Sequence, residues 1–234
     1  MERVSTTQPA SRRRTLTLAG LMAVAGASLV LAISGAGATH AADQYAHANH
    51  VARSTQKQAA FHDAMRKLWE DHITWTRLAI ISFAHDLPDL AATEARLLRN
   101  QVDIGNAIKP YYGNAAGTKL TALLKQHILG AVELLKAAKS GDQSQVARRS
   151  AEWYANANAI ADFLASANPA SWPRKAMRSM MKMHLDQTLD EALNRLHGKY
   201  AADIRDYDHI HAHILEMADA LSAGIVKQFP ARFR

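Results

Sequence analysis

Polar residues stand at near-constant intervals along this chain: His72, Asn100, His127, Asn156, His184 and His211 follow one another at spacings of 27 to 29 residues. A helix of that repeat length, less its turn, is ~23 residues or ~35 Å long at 1.5 Å per residue. Each marked residue then falls near the middle of its own helix. Midpoints of antiparallel helices of equal length share a level, so the spacing alone predicts a polar layer across a helical bundle.

Punctuation agrees with the ruler. Pro88, Pro110, Pro169, Pro173 and Pro230 all fall outside stretches that otherwise read as helix interior, as expected of a residue that lacks a donor and clashes with the preceding turn. Gly113, Gly141 and Gly198 supply the remaining breaks, glycine being suited to the left-handed position after a helix. The implied helices are about 50–86, 88–109, 115–140, 143–167, 172–197 and 200–228, and no segment sustains strand alternation. The expected fold is therefore all-α, an antiparallel up-down bundle of about six helices built from tandem hairpins. It occupies residues 61–230, with 42–60 as a linker and start of the first helix and 231–234 as a tail.

Helical phase puts the marked residues on the buried side. Met65, Leu68, His72, Thr76 and Ala79 follow spacings of three and four, as do Leu120, Leu123, His127, Ala131 and Leu134. Leu97, Asn100 and Ile104, then Trp153, Asn156 and Ile160, and then Met177, Met181, His184 and Thr188 behave alike. In the last helix the stripe reads Ile204, Tyr207, His211, Ile214, Ala218, Leu221 and Ile225.

The first 41 residues read as an export signal: Arg12, Arg13 and Arg14 precede an uncharged run from Leu16 to Ile33, and the small residues Ala36, Ala38 and Ala41 follow. Ser11-Arg12-Arg13 with Leu16 also loosely matches a twin-arginine signal. Cleavage near Ala41 is expected; an uncleaved membrane anchor is the alternative, since the run approaches a spanning length. The segment supplies +3 of the formal net charge of +7, so the remaining chain is only mildly basic and carries no nucleic-acid footprint. With no cysteine, the exported protein relies on its core alone.

Burying an unpaired imidazole or amide costs ~1–3 kcal/mol, so an inward polar layer must be hydrogen-bonded, hydrated or ligated. Two readings follow. In one, His72, His127, His184 and His211 bind a transition metal or metal-containing ligand, with Asn100 and Asn156 as its polar partners. Few carboxylates and no Glu-x-x-His motif favour copper or zinc over a di-iron centre. Met180, Met181 and Met183 beside His184 would suit copper, although methionine at helical spacing is ordinary core filling. In the other, the layer only sets helix register in a structural or interaction module. His209 and His213, four apart, read as an exposed, solvated pair, and the aromatic turns at Tyr111-Tyr112 and Trp172 read as packing anchors.

The strings LWEDHITWTR (68–77), LLRNQVDIGNAIKPYYG (97–113), WYANANAIADFL (153–164) and HILEMADALSAGIVKQFP (213–230) resemble a family of small bacterial exported helical proteins of unestablished function, sometimes labelled glycosyltransferases. The resemblance covers nearly all of the chain after the signal and implies one helical domain and export. The sequence carries no alternating strand–helix pattern for a nucleotide sugar. It also has no thiol nucleophile, Gly-x-Ser-x-Gly elbow, phosphate loop or His-Glu-x-x-His motif. A hydrolase built on His72 or His184 would need three ligands and an open position.

Overall fold

The computed structural model describes residues 36–234, with side chains described from Thr55 onward. The expected signal, 1–41, lies almost wholly outside the described residues. Five α-helices follow in order: α1 Ala36–Ala84, α2 Leu90–Ser140, α3 Gln143–Ala167, α4 Arg174–Leu196 and α5 Tyr200–Gln228, closed by a 3-10 turn Pro230–Phe233. Gln44–Arg234 form one compact unit. No described helix is long and apolar enough to cross a membrane.

The count differs from the expected six because the stretch 90–140 is a single helical element folded back on itself. Its break is Gly113, at φ 83° and ψ 170°, a conformation essentially reserved for glycine. Pro110 weakens the helix just before it. The two arms come together through a glycine pair: a Cβ on Gly117 would lie 2.5 Å from the Gly105 carbonyl oxygen, and one on Gly105 would lie 2.7 Å from that of Gly117. Backbones this close leave no room for any side chain.

Successive segments pack as neighbours, α3 between α2 and α4, and α4 against α5. The chain ends close the ring. Arg66 on α1 donates to Asp219 on α5 at 2.7 Å, and Asn100 on the first arm of α2 donates to the Leu68 carbonyl on α1 at 2.9 Å. Inside lies an apolar core that includes Ile73, Ile104, Leu134, Ile160, Leu185, Ile210 and Ile214, each at 1 % exposure or less.

One end of the bundle is locked by aromatic rings. Phe233 is buried, stacks on Tyr111 at 5.6 Å and touches Phe61 at 5.2 Å. Residues 231–234, expected as a tail, are thus an anchor, because Phe233 finds an apolar slot beside the α2 turn. Trp172 is buried, as expected of a turn anchor, and donates its Nε1–H to the Ala220 carbonyl at 3.2 Å.

Gly117→Ala should lower stability by about 1–3 kcal/mol in urea unfolding, because the new methyl meets the Gly105 carbonyl as well as the Lys109 side chain, and only the side chain can move aside. An unchanged midpoint would mean that the two arms of α2 separate at little cost.

Candidate metal centre

His72 on α1, His127 on the second arm of α2 and His184 on α4 are buried, at 2 %, 3 % and 3 % exposure. The three stand in equivalent settings. In each case the next helical segment donates a side-chain hydrogen bond to the carbonyl four residues before the histidine: Asn100 Nδ2 to Leu68 at 2.9 Å, Asn156 Nδ2 to Leu123 at 3.2 Å, and His213 Nε2 to Met180 at 3.0 Å. Each histidine's own carbonyl also accepts a side-chain bond, from Thr76, Trp153 and Thr188 respectively. The chain is therefore three similar hairpins, each pinned at the same height.

His213 holds the place expected for His211. His211 is a third exposed and pairs with Glu70 on α1 at 3.2 Å, outside the cluster, whereas His213 is 6 % exposed and close enough that its charge would depress His184. The expected stripe fails at its first member: Ile204 is 53 % exposed and its neighbour Asp203 is fully buried. The buried face instead starts from Asp203 and runs through Ile210 and His213, and from there on the expected Ile214, Ala218, Leu221 and Ile225 are buried as read, with Met217 beside them. The expected surface pair of His209 and His213 is correspondingly absent, since only His209 is exposed.

His184 touches both other rings, with centroids 5.6 Å from His72 and 5.8 Å from His127. All three are held neutral. Burial, reinforced by the nearby His127, pushes His72 down to about 3. Burial pushes His127 down to about 4, against a smaller upward pull from the Asn156 amide beside it. His184 is depressed well below its ordinary value by burial first, and then by its three imidazole neighbours. Neutral imidazole is the form that ligates metals.

The nitrogens are unequally engaged. Gln101 Nε2 lies 2.9 Å from the Leu97 carbonyl, 3.1 Å from Asn100 Oδ1 and 3.2 Å from His72 Nδ1. Two of these are fixed acceptors, so the amide nitrogen is the donor and His72 Nδ1 is an acceptor, which leaves the proton on its Nε2. The Nδ1 atoms of His127 and His184 are buried without a partner, as is Asn156 Oδ1. Asn100 is fully buried and committed at both ends, to Leu68 and to Gln101. Met181 is buried one turn before His184, while Met183 points outward at 48 % exposure.

Among the described residues, no set of three His, Cys, Asp or Glu side chains is already arranged to hold a metal ion. Bonds of ~2.0–2.1 Å from one ion to three ring nitrogens would bring the ring centres to roughly 5 Å apart. The two observed separations, 5.6 and 5.8 Å, are wider than this, so the rings as they stand do not converge on one point.

A second buried polar group went unread in the sequence. Arg77, one turn beyond His72, donates to Glu191 and to Asp203, both at 2.7 Å and both wholly buried. Arg195 reaches Asp203 at 3.2 Å, and the Arg77 guanidinium also lies over the Tyr207 ring at 4.7 Å. Glu191 keeps one buried oxygen without a partner. Burial raises its pKa to about 7 in spite of Arg77. The only trace in the sequence is an arginine, a glutamate and an aspartate on helix faces otherwise apolar.

Comparisons with protein families, with curated proteins and with solved structures find no match to this chain.

In the metal-free protein the two groups impose opposite pH dependences. The depressed histidines contribute stability that is fully present above about pH 6.5, their unfolded value, and is lost as pH falls toward 4 and 3. Glu191, raised from 4.5 to about 7, contributes stability present below 4.5 and lost as pH rises through 7. Urea unfolding across this range should show His184→Leu flattening the rise below pH 6.5 and Glu191→Gln flattening the loss between 4.5 and 7. Identical pH profiles for wild type and both variants would contradict the assignment.

Proposed function

We propose that this chain is an exported helical-bundle protein that binds a borderline transition-metal ion, zinc or copper, through His72, His127 and His184. The observation that carries this reading is the pair of partnerless Nδ1 atoms, on His127 and His184, buried within a contact cluster of three neutral rings. Leaving each unpaired costs ~1–3 kcal/mol, and a metal ion would satisfy both at once. His72 Nδ1 accepts from Gln101, so its Nε2 would ligate only after the ring proton moves to Nδ1 and the Gln101 amide turns its unpartnered Oε1 to accept it. Three imidazoles with a fourth position open suit zinc, and neutral soft-to-borderline donors suit copper. The charged run and apolar stretch within residues 1–41 support export.

A second reading has its own support. The three side-chain bonds to the Leu68, Leu123 and Met180 carbonyls would set helix register with no ligand at all. On that account the layer serves only a structural or interaction module.

Elemental analysis of the protein purified without an affinity tag separates the two. The metal reading expects close to one zinc or copper per chain, lost in His127→Ala and His184→Ala and kept in Asn106→Ala, which alters an exposed position. Added metal at a hundredfold excess over its dissociation constant should stabilise the wild type by ~2.7 kcal/mol. If neither metal binds, even after incubation with both ions, while His127→Gln changes stability alone, the register reading stands.

A further inference from the structure

We infer that the groove between the second arm of α2 and α3 is the passage from solvent to the imidazole cluster, with Asn156 as its gate. This rests on the metal reading for its cargo but not for its geometry. Three equivalent positions pin the hairpins, and two are sealed: Asn100 is 0 % and His213 6 % exposed. Asn156 alone is half-buried, because the surface opens beside it into a groove of about 290 Å³ whose lining includes Glu133, Arg149, Glu152, Trp153 and Asn156.

Two features make Asn156 a barrier rather than a fixed wall. Its one hydrogen bond, to the Leu123 carbonyl, is the longest of the three at 3.2 Å, and its buried Oδ1 has no partner. Behind it lies His127, whose Nδ1 is also unpaired and whose pKa the amide pulls upward. Swinging the Asn156 side chain outward therefore breaks the long bond to Leu123 and its weaker interaction with His127, and joins the groove to that imidazole. Trp153 cannot serve as the gate: it is 2 % exposed, stacked on His127 at 5.3 Å and bonded to the His127 carbonyl. At the mouth, Glu133 and Glu152 share Arg149, at 4.0 and 3.0 Å, and Glu133 also pairs with Lys136 at 2.9 Å, so the carboxylates there are matched by an equal number of cations.

The test is stopped-flow loading of zinc into the full metal-free chain and its chelator-driven release, for wild type, Asn156→Ala, Asn156→Leu and the exposed Asn158→Ala. Removing a gate should speed loading and release together, roughly tenfold each, as expected of a barrier outside the site. Asn156→Leu should slow both, and Asn158→Ala should change neither. Release that changes without loading would make Asn156 a ligand or support and overturn the gate, as would rates that do not move. If the wild type binds no zinc or copper, the metal reading fails, and the passage is then judged by hydrogen exchange at the imidazole C2 of His127. Exchange should quicken several-fold in Asn156→Ala relative to His72 in the same protein; equal rates in the variant and wild type would overturn the passage as well.

Discussion

The interaction on which the rest depends is a side-chain bond to a helix carbonyl, made three times at the same height. Asn100, Asn156 and His213 each bind the carbonyl four residues before a buried histidine. A carbonyl within a helix is already engaged by its own backbone, so the extra bond adds modest energy, about 0.5–1.5 kcal/mol. Its larger effect is geometric. It fixes how far each segment slides along its neighbour, and so fixes where His72, His127 and His184 meet.

Along α1 three tiers follow one another: Phe61 in the aromatic lock, His72 in the imidazole cluster and Arg77 in the buried ion network. About 1.5 Å per residue separates them, so the tiers span most of the described bundle. The aromatic end supplies apolar burial. The ion network repays its desolvation through four short contacts around Asp203 and Glu191. Both polar tiers keep buried atoms without a partner: Glu191 Oε2 and Arg195 Nε in the ion network, and ring nitrogens of two adjoining neutral imidazoles in the other.

Much of this was legible from residue spacing. Proline and glycine mark ends close to those observed, and the ruler located His72, His127 and His184 on the buried face, with Asn100 and Asn156 opposite. It failed at the last helix, and the reason is specific. Ile204 looked like the start of the apolar stripe, but Asp203 takes the buried place because Arg77, 126 residues away, neutralises it. Hydrophobic periodicity cannot register a carboxylate buried by a distant cation, so the stripe began one residue late and chose His211 over His213. Gln101 was missed for a similar reason: nothing in its own segment shows that its amide will lie among three acceptors. Gly113 reads in the sequence as a gap between helices, whereas the structure has a fold-back there within one element, because only the Gly113 backbone leaves helical geometry.

The central claim is that three imidazoles from three hairpins form one buried, neutral, ligand-ready cluster. Nitrogen-15 spectra of the histidine rings in the metal-free protein, recorded as pH is lowered and then with zinc added near neutral pH, test it most directly. The account predicts that His72, His127 and His184 stay neutral at pH 5.5, where an ordinary histidine of pKa ~6.5 is mostly protonated. Zinc should then shift nitrogen resonances on all three rings together. Three rings that protonate near pH 6.5 and ignore the metal would contradict both the burial of the cluster and its purpose.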